Sequence, residues 1–563
     1  MLQRPLNRAE EATPDADERS SRGGWWEYGL LGVLVVVGVL LRWWRLGEVL
    51  PWMDEAWILD VVAERDYAWI ATNFNLNDAC IPLSLYAEFV NDTFGLNEFW
   101  LRAPAALGGT TLALVVAWLS IRYLRPAPAL LLGGLVSVSP YLVYLSREAR
   151  PHAITPTLLV SAAALSAHEL HTENPSRVRL MVAASLAALS PWFHPITLGS
   201  SSVLMAVVCA AVLFRRPVEP VPRSVLPLIL TTYVATLALT LAPSAASLAE
   251  TIQRYGGRGS VELATVEGAL MLPIYAEAPV PWWAVGLTML PGAIWLVRRA
   301  AWIGVGAVVL VSSQVLAMLW LHSYFIQVPM IWLRYHVQVL PFGFLLLAGT
   351  LAWFDEALRG RWTKASSVVA ASGVLAVFVH ALVGWGYSIR ETDAYNANPI
   401  MAYLDPEDPE LRAIVPPFYS EVLPSLPAGV VVEAPVIFPF PVYGLYQRVH
   451  GRHVRMAGLG VGPWQSRFDT PGFRFHTVPG TASPRTLRDT RGVLIVHHRV
   501  GEEVARFYRA GLRAKSVARQ LVPFPNLERA VGGWWPGRPA LETAQPPIYQ
   551  DDLMSVYELP LTR

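Results

Sequence analysis

Two adjacent carboxylates, Asp54 and Glu55, directly follow the first apolar run, within Leu50-Pro51-Trp52-Met53-Asp54-Glu55-Ala56-Trp57. Acids held at a membrane face in so apolar a setting are costly unless they serve a site. Their natural chemistry would be to take a proton from a hydroxyl as it attacks. Three further stretches gather ionisable side chains between apolar runs: Ser146-Arg147-Glu148-Ala149-Arg150-Pro151-His152, Trp192-Phe193-His194-Pro195, and Arg334-Tyr335-His336 leading to Pro341. A longer one, from about Ser247 to Pro279, carries Arg254, Tyr255, Arg258, Glu262, Glu267 and Glu277. Guanidinium groups match phosphate oxygens bidentately and stay charged. Arginines beside a carboxylate therefore suit transfer of a group away from a phosphate, which they would stabilise as it leaves. A lipid phosphate would present that group at headgroup level, where such loops lie.

The elements that must position these residues are apolar helices. Of 563 residues, 53% are hydrophobic and only 15% charged, too little charge to cover a soluble protein of this length. The apolar residues come in runs of roughly 17–22, long enough to cross a bilayer. About eleven spans are expected, near 27–44, 99–121, 127–145, 152–168, 179–193, 196–214, 225–245, 281–297, 301–321, 336–354 and 366–387. The pair around Pro195 also reads as one re-entrant feature. Arginines cluster in alternate connections, among them Arg122, Arg125, Arg177, Arg179, Arg215, Arg216, Arg298, Arg299, Arg359 and Arg361. The positive-inside rule puts these, and the amino terminus, in the cytoplasm. The acid-rich loop 46–98, whose only basic residue after the first span's flank is Arg65, then lies outside with every cluster above. Arg42 and Arg45, at the outer end of the first span, break the pattern and are expected to snorkel or touch lipid phosphate. Trp25, Trp26, Trp43 and Trp44 sit where interfacial aromatics belong. Residues 1–24 lack a signal-peptide pattern, so the first span is expected to remain as an anchor.

Composition excludes other classes. The net charge of +1 and the lack of a basic tract give no sign of nucleic-acid binding. Cys80 and Cys209 fall far apart in this topology, so neither a disulfide framework nor a thiolate metal cluster is expected.

In their order along the chain these motifs resemble the polytopic GT-C glycosyltransferases, in particular the family 39 type related to protein O-mannosyltransferases and aminoarabinose transferases. The resemblance is carried by Met53-Asp54-Glu55-Ala56, by Phe99-Trp100-Leu101-Arg102-Ala103-Pro104-Ala105-Ala106-Leu107-Gly108, by Ser146 to His152, and by Arg334-Tyr335. It spans about residues 27–390. It implies a GT-C-like α-helical membrane domain with an extracytoplasmic domain after it, in a bacterial plasma membrane. It implies inverting transfer of a sugar from a polyprenyl-phosphate donor to a hydroxyl on a glycan, lipid or protein acceptor. Asp54 would be the base or acceptor-binding carboxylate and Glu55 its support. Arg102, Glu148, Arg150, His152, His194, Arg254, Arg258, Arg334 and Tyr335 would shape the substrate site, with Arg334 facing the donor phosphate. Pro151-His152 stands where the family's second-loop motif has an aromatic. Some members use a divalent metal; Asp54, Glu55, His152 and His194 are possible ligands, but their spacing fixes no geometry.

Simpler readings stand beside these. Glu148 and Arg150 can form a structural ion pair, Arg334 can snorkel, and His194, His322 and His336 can be packing residues. The rival functions are a lipid-linked sugar transporter or flippase and a non-catalytic membrane scaffold. The organisation expected is a cytoplasmic tail over 1–26, the membrane domain over 27–390 and an extracytoplasmic mixed α/β domain over 391–563. In that last part, strands are expected at 429–437, 492–500 and 554–559 and helices at 441–450 and 502–520. His497-His498 reads as a strand end.

Overall fold

The computed structural model describes residues 25–44, 46–47, 55, 58, 61–62, 65–74, 80–172, 175–214, 224–255, 266, 282–321, 329–357, 363–383, 415–434, 446, 454–456, 491–498 and 546–559. Helices α1 (Trp25–Trp43), α2 (Tyr67–Thr72), α3 (Ile81–Phe94), α4 (Glu98–Tyr123), α5 (Pro126–Val138), α6 (Pro140–Leu145), α7 (Ile154–His171) and α8 (Arg177–Phe193) form the first half. The second half holds α9 (Leu198–Phe214), α10 (Val225–Leu241), α11 (Ala245–Tyr255), α12 (Trp282–Arg299), α13 (Ala301–Leu321), α14 (Pro329–Arg334), α15 (Leu340–Ala357) and α16 (Thr363–Val383). Helix thus occupies each stretch that reads as a span. Seven described segments are long and apolar enough to cross a membrane: Trp25–Trp43, Phe99–Tyr123, Pro151–Leu170, Pro195–Phe214, Val225–Thr251, Ala301–Trp320 and Val337–Ala357. The protein is a multi-span helical membrane protein. The stretches either side of Pro195 are two helices, joined by His194 and a 3-10 turn over Pro195–Thr197.

The stretch expected as one span over 127–145 is divided. Pro140 brings no N–H to the helix and drives Ser139 out of the helical region, to φ −55° and ψ 121°. Helix α5, before the break, is buried at every position from Ala127 to Val138 except Leu131, and packs against α1, α4, α15 and α16. A helix apolar on every side belongs in the centre of a bundle. The break leaves carbonyls to satisfy, and Arg42 does so. Its Nη1 donates to the Ser137 carbonyl at 2.7 Å, Nη2 to the Val136 carbonyl at 3.1 Å and Nε to Ser146 Oγ at 3.2 Å. Arg42 is fully buried, which corrects the snorkelling expected of it. Two glycines make room for this guanidinium. A Cβ at Gly38 would lie 2.3 Å from the Ser137 carbonyl oxygen, and one at Gly109 would lie 1.9 Å from Ser146 Oγ.

After the last helix come β1 (Val430–Ala434), β2 (Val454–Met456), β3 (Gly492–His497), β4 (Tyr549–Gln550) and β5 (Met554–Leu559). They form one sheet in the order β2-β1-β3-β5-β4, with β1 parallel to β2 and β3, and β5 antiparallel to β3 and β4. All three expected strands are present. The expected helices fall outside the described residues, apart from Tyr446. Glu433 and His497, at the carboxyl ends of β1 and β3, meet inside this unit at 2.7 Å. The Tyr419 hydroxyl donates to the Glu433 carboxylate at 2.9 Å.

Candidate active site

Glu55 is the described member of the acidic pair, and its carboxylate is buried. Arg102, one turn into α4, grips it with two nitrogens, Nε to Oε1 at 2.7 Å and Nη2 to Oε2 at 2.5 Å. Arg102 Nη1 also donates to the Leu46 carbonyl at 3.1 Å, and the Ala149 N–H donates to Glu55 Oε1 at 2.8 Å. One carboxylate thereby joins the first loop, the start of α4 and the loop between α6 and α7. Bidentate geometry with further hydrogen bonds is what makes a buried ion pair tolerable.

The Ser146–His152 segment divides its residues between holding and facing. Ser146 accepts from Arg42, and Arg147 Nη2 donates to the Trp44 carbonyl at 3.0 Å, closing the end of α1. Glu148, Arg150 and His152 turn towards two distant elements. Arg334, at the end of α14, donates through Nη2 to Glu148 Oε1 at 3.4 Å across 186 positions of sequence. Both side chains are buried, which removes the snorkelling reading of Arg334. The His152 and His194 rings lie 5.2 Å apart by centroid, and Tyr335 meets His194 edge-on at 6.0 Å. Six of the residues singled out by sequence (Glu148, Arg150, His152, His194, Arg334 and Tyr335) thus converge from three turns at one end of the bundle.

His194 is held uncharged. Enclosure by protein, then the cations of Arg150 and Arg334, push its pKa down from 6.5 to about 3. Its Nδ1 accepts from the Ile196 N–H at 3.3 Å, so the proton resides on Nε2. A neutral imidazole between two arginines can donate a hydrogen bond to an oxygen without adding charge. His336, by contrast, is a packing residue: its ring lies against Trp332 at 4.4 Å, tilted by 39°, and Nδ1 donates to the Trp332 carbonyl at 2.6 Å.

Asp54 and Arg258 lie outside the described residues, and Arg254 is described only as backbone in the last turn of α11. Among the described residues, no group of three His, Cys, Asp or Glu is placed to hold a metal ion.

One supporting group escaped the sequence reading. Gln314, buried midway along α13, donates through Nε2 to the Tyr335 carbonyl at 2.8 Å and accepts from Ser200 Oγ at 2.5 Å. Gln338 Nε2 donates to the same carbonyl at 2.8 Å. The signal for Gln314 was present, since an amide inside an apolar span must find a polar partner. What it lacked was any indication of which.

No family model and no curated protein matches the sequence. The solved structures that match the fold include ArnT from Cupriavidus metallidurans in the apo state, and the same protein bound to undecaprenyl phosphate. Each has a TM-score of 0.52 at 11% identity, covering 85% of this chain and 94% of the other. The chain has an ArnT-like fold.

Proposed function

We propose that the protein is an integral membrane glycosyltransferase that moves a sugar from a polyprenyl-phosphate donor to an acceptor hydroxyl on the outer face of the membrane. The observation that carries this reading is the convergence of Arg150 and Arg334 with Glu148, His152, His194 and Tyr335 at one end of the bundle. It occurs in a fold shared with a protein solved bound to undecaprenyl phosphate. Two buried guanidiniums suit a phosphate that gains charge as it leaves. Their fixed charge needs no reorganisation when the bond breaks.

In the proposed reaction the acceptor oxygen attacks the anomeric carbon from the side opposite the phosphate. The new C–O bond forms as the bond to the phosphate oxygen breaks, and the electron pair departs with the polyprenyl phosphate. The hydroxyl proton passes to Asp54. Attack from the far side inverts the anomeric configuration. Glu55, already engaged by Arg102 and the Ala149 N–H, is the positioning residue that holds the Asp54 segment against the second loop. Arg334 and Arg150 take the leaving phosphate, and His194, neutral and with its proton on Nε2, donates to a substrate oxygen.

The charge pattern supports an outward placement of this end and of the β-sheet unit. The test is release of free polyprenyl phosphate from a panel of polyprenyl-phospho-sugars, by protein in lipid, with cell-envelope extract as acceptor. Sugar-dependent release that Asp54→Asn abolishes, with the fold intact, is the expected result. Absence of release from every donor, by folded wild-type protein, would reject the proposal in favour of a transporter or scaffold.

A further inference from the structure

The chain that carries Arg334 and Tyr335 passes from α14 into a 3-10 turn over Val337–Val339 before α15 begins. In a continuous α-helix the Tyr335 carbonyl would accept from the Val339 N–H. Here that N–H donates to the His336 carbonyl at 3.0 Å, which takes the Tyr335 carbonyl out of the helical ladder. Inside an apolar bundle such a carbonyl has to be met by a side chain. Two amides meet it, Gln314 Nε2 and Gln338 Nε2, each at 2.8 Å.

The two amides do different things. Gln338 belongs to the same turn as Tyr335 and travels with it, so it satisfies the carbonyl without fixing it in space. Gln314 belongs to α13, which packs along α9 and against the Val337–Val339 turn. A carbonyl only accepts, so the Gln314 nitrogen faces it. Gln314 Oε1 is then left for the Ser200 hydroxyl, which donates at 2.5 Å. Ser200 stands in the first turn of α9, directly after the turn that begins at His194. Thr197 closes that turn: its Oγ1 donates to the His194 carbonyl at 2.9 Å and accepts from Ser190 Oγ at 2.8 Å. Buried hydrogen bonds therefore run from α9, at the foot of the His194 turn, through Gln314 to the Tyr335 carbonyl. Ser200 and Gln314 are each 1% exposed, so they act through the groups they hold.

We infer that Gln314 is a positioning residue for the proposed transfer, the crosspiece of a Ser200–Gln314–Tyr335 brace that keeps the Arg334 turn in register with the His194 turn. The inference rests on the proposed reaction. Satisfying the carbonyl needs one amide; anchoring it to another span needs the second. Without Gln314 the Arg334 charge still attracts the donor phosphate, but the guanidinium is no longer held in line with the oxygen that leaves. The loss therefore falls on turnover more than on donor binding.

The test compares Gln314→Met, Gln338→Met and Ser200→Ala with wild type, as full chains in lipid, by release of polyprenyl phosphate at varied donor concentration. Rates are taken per folded protein, from monodisperse elution and the circular dichroism spectrum. In Gln314→Met, kcat should fall by about tenfold to a hundredfold with KM within about twofold. Ser200→Ala should lower kcat less and in the same direction, and should add little in the Gln314→Met background. Gln338→Met, which leaves the carbonyl anchored to α13, should lower kcat less than Gln314→Met. Wild-type turnover in Gln314→Met, or a rise in KM alone, would overturn the inference. Equal losses in Gln314→Met and Gln338→Met would overturn it too, since satisfaction of the carbonyl and not anchoring would then matter. If Gln314→Met does not fold, Ser200→Ala decides: unchanged kcat there would overturn the brace. Folded wild-type protein that releases phosphate from no donor would reject the reaction itself, and this role with it, a failure distinct from the others because wild type shows it.

Discussion

Glu55 and Arg102 allow a positioning carboxylate to be told from a catalytic one. In Glu55→Gln the bidentate pair is reduced to one amide contact, and the Arg102 guanidinium, buried with two nitrogens formerly on a carboxylate, keeps its charge. Breaking a buried ion pair from one side costs about 3–5 kcal/mol, because the remaining charge is left uncompensated. The retained hydrogen bond from Arg102 to the Leu46 carbonyl, at 3.1 Å, places this case towards the lower end, roughly 3 kcal/mol. Removing both charges, in Glu55→Gln with Arg102→Gln, abolishes the uncompensated cation. With no uncompensated charge left in the interior, at least about 2 kcal/mol of the loss should return. The assay is the unfolding midpoint in mixed micelles, with polyprenyl-phosphate release measured on the same preparations. If Glu55 only positions, stability and activity fall together in the single variant and recover together in the double one. A Glu55→Gln protein as stable as wild type but inactive, and still inactive with Arg102→Gln, would refute the reasoning and put Glu55 in the chemistry.

Arg42→Leu should destabilise by roughly 2–6 kcal/mol, about 1–3 for each of the Val136 and Ser137 carbonyls left without this donor. Pro140→Ala, which supplies an N–H to Val136, should reduce that loss; a double-mutant cycle with no coupling would contradict the account. His194, with a native pKa of about 3 against about 6.5 unfolded, makes the unfolded chain the better proton binder between those values. Its contribution is therefore complete above pH 6.5 and lost as pH falls towards 3. Unfolding midpoints measured from pH 7 to 4 should drop less steeply in His194→Gln than in wild type. Arg334→Lys keeps the charge but loses the planar fork, so turnover should fall by about tenfold or more with binding of donor affected less; a change in KM alone would assign Arg334 to ground-state binding. Alkaline phosphatase fused after the last strand should be active and a fluorescent protein fused there dark, and the reverse would invert the proposed orientation.

The sequence by itself determined the class of the protein and the position of its helices. An apolar run long enough to span a bilayer has no lower-energy choice than helix, because every backbone N–H and C=O must be paired within the segment. Strands β1, β3 and β5 were legible for a similar reason, as short β-branched runs bounded by turn residues. The ordered motifs named most of the residues that gather at the site, since charged groups between apolar runs stand out against a chain only 15% charged. What sequence could not supply was pairing. Arg42 and Arg334 look alike as arginines beside apolar spans, yet Arg42 is bound to carbonyls released by Pro140 and Arg334 to Glu148. Glu55 reads as a catalytic partner of Asp54, and only the fold shows it gripped by Arg102 from 47 positions away. Gln314 reads as a stray amide and turns out to hold the Tyr335 carbonyl. Such assignments depend on which helix faces which, and on where a proline has freed a carbonyl. In an interior that leaves few polar groups unpaired, the role of each side chain is set by the partner that packing brings to it.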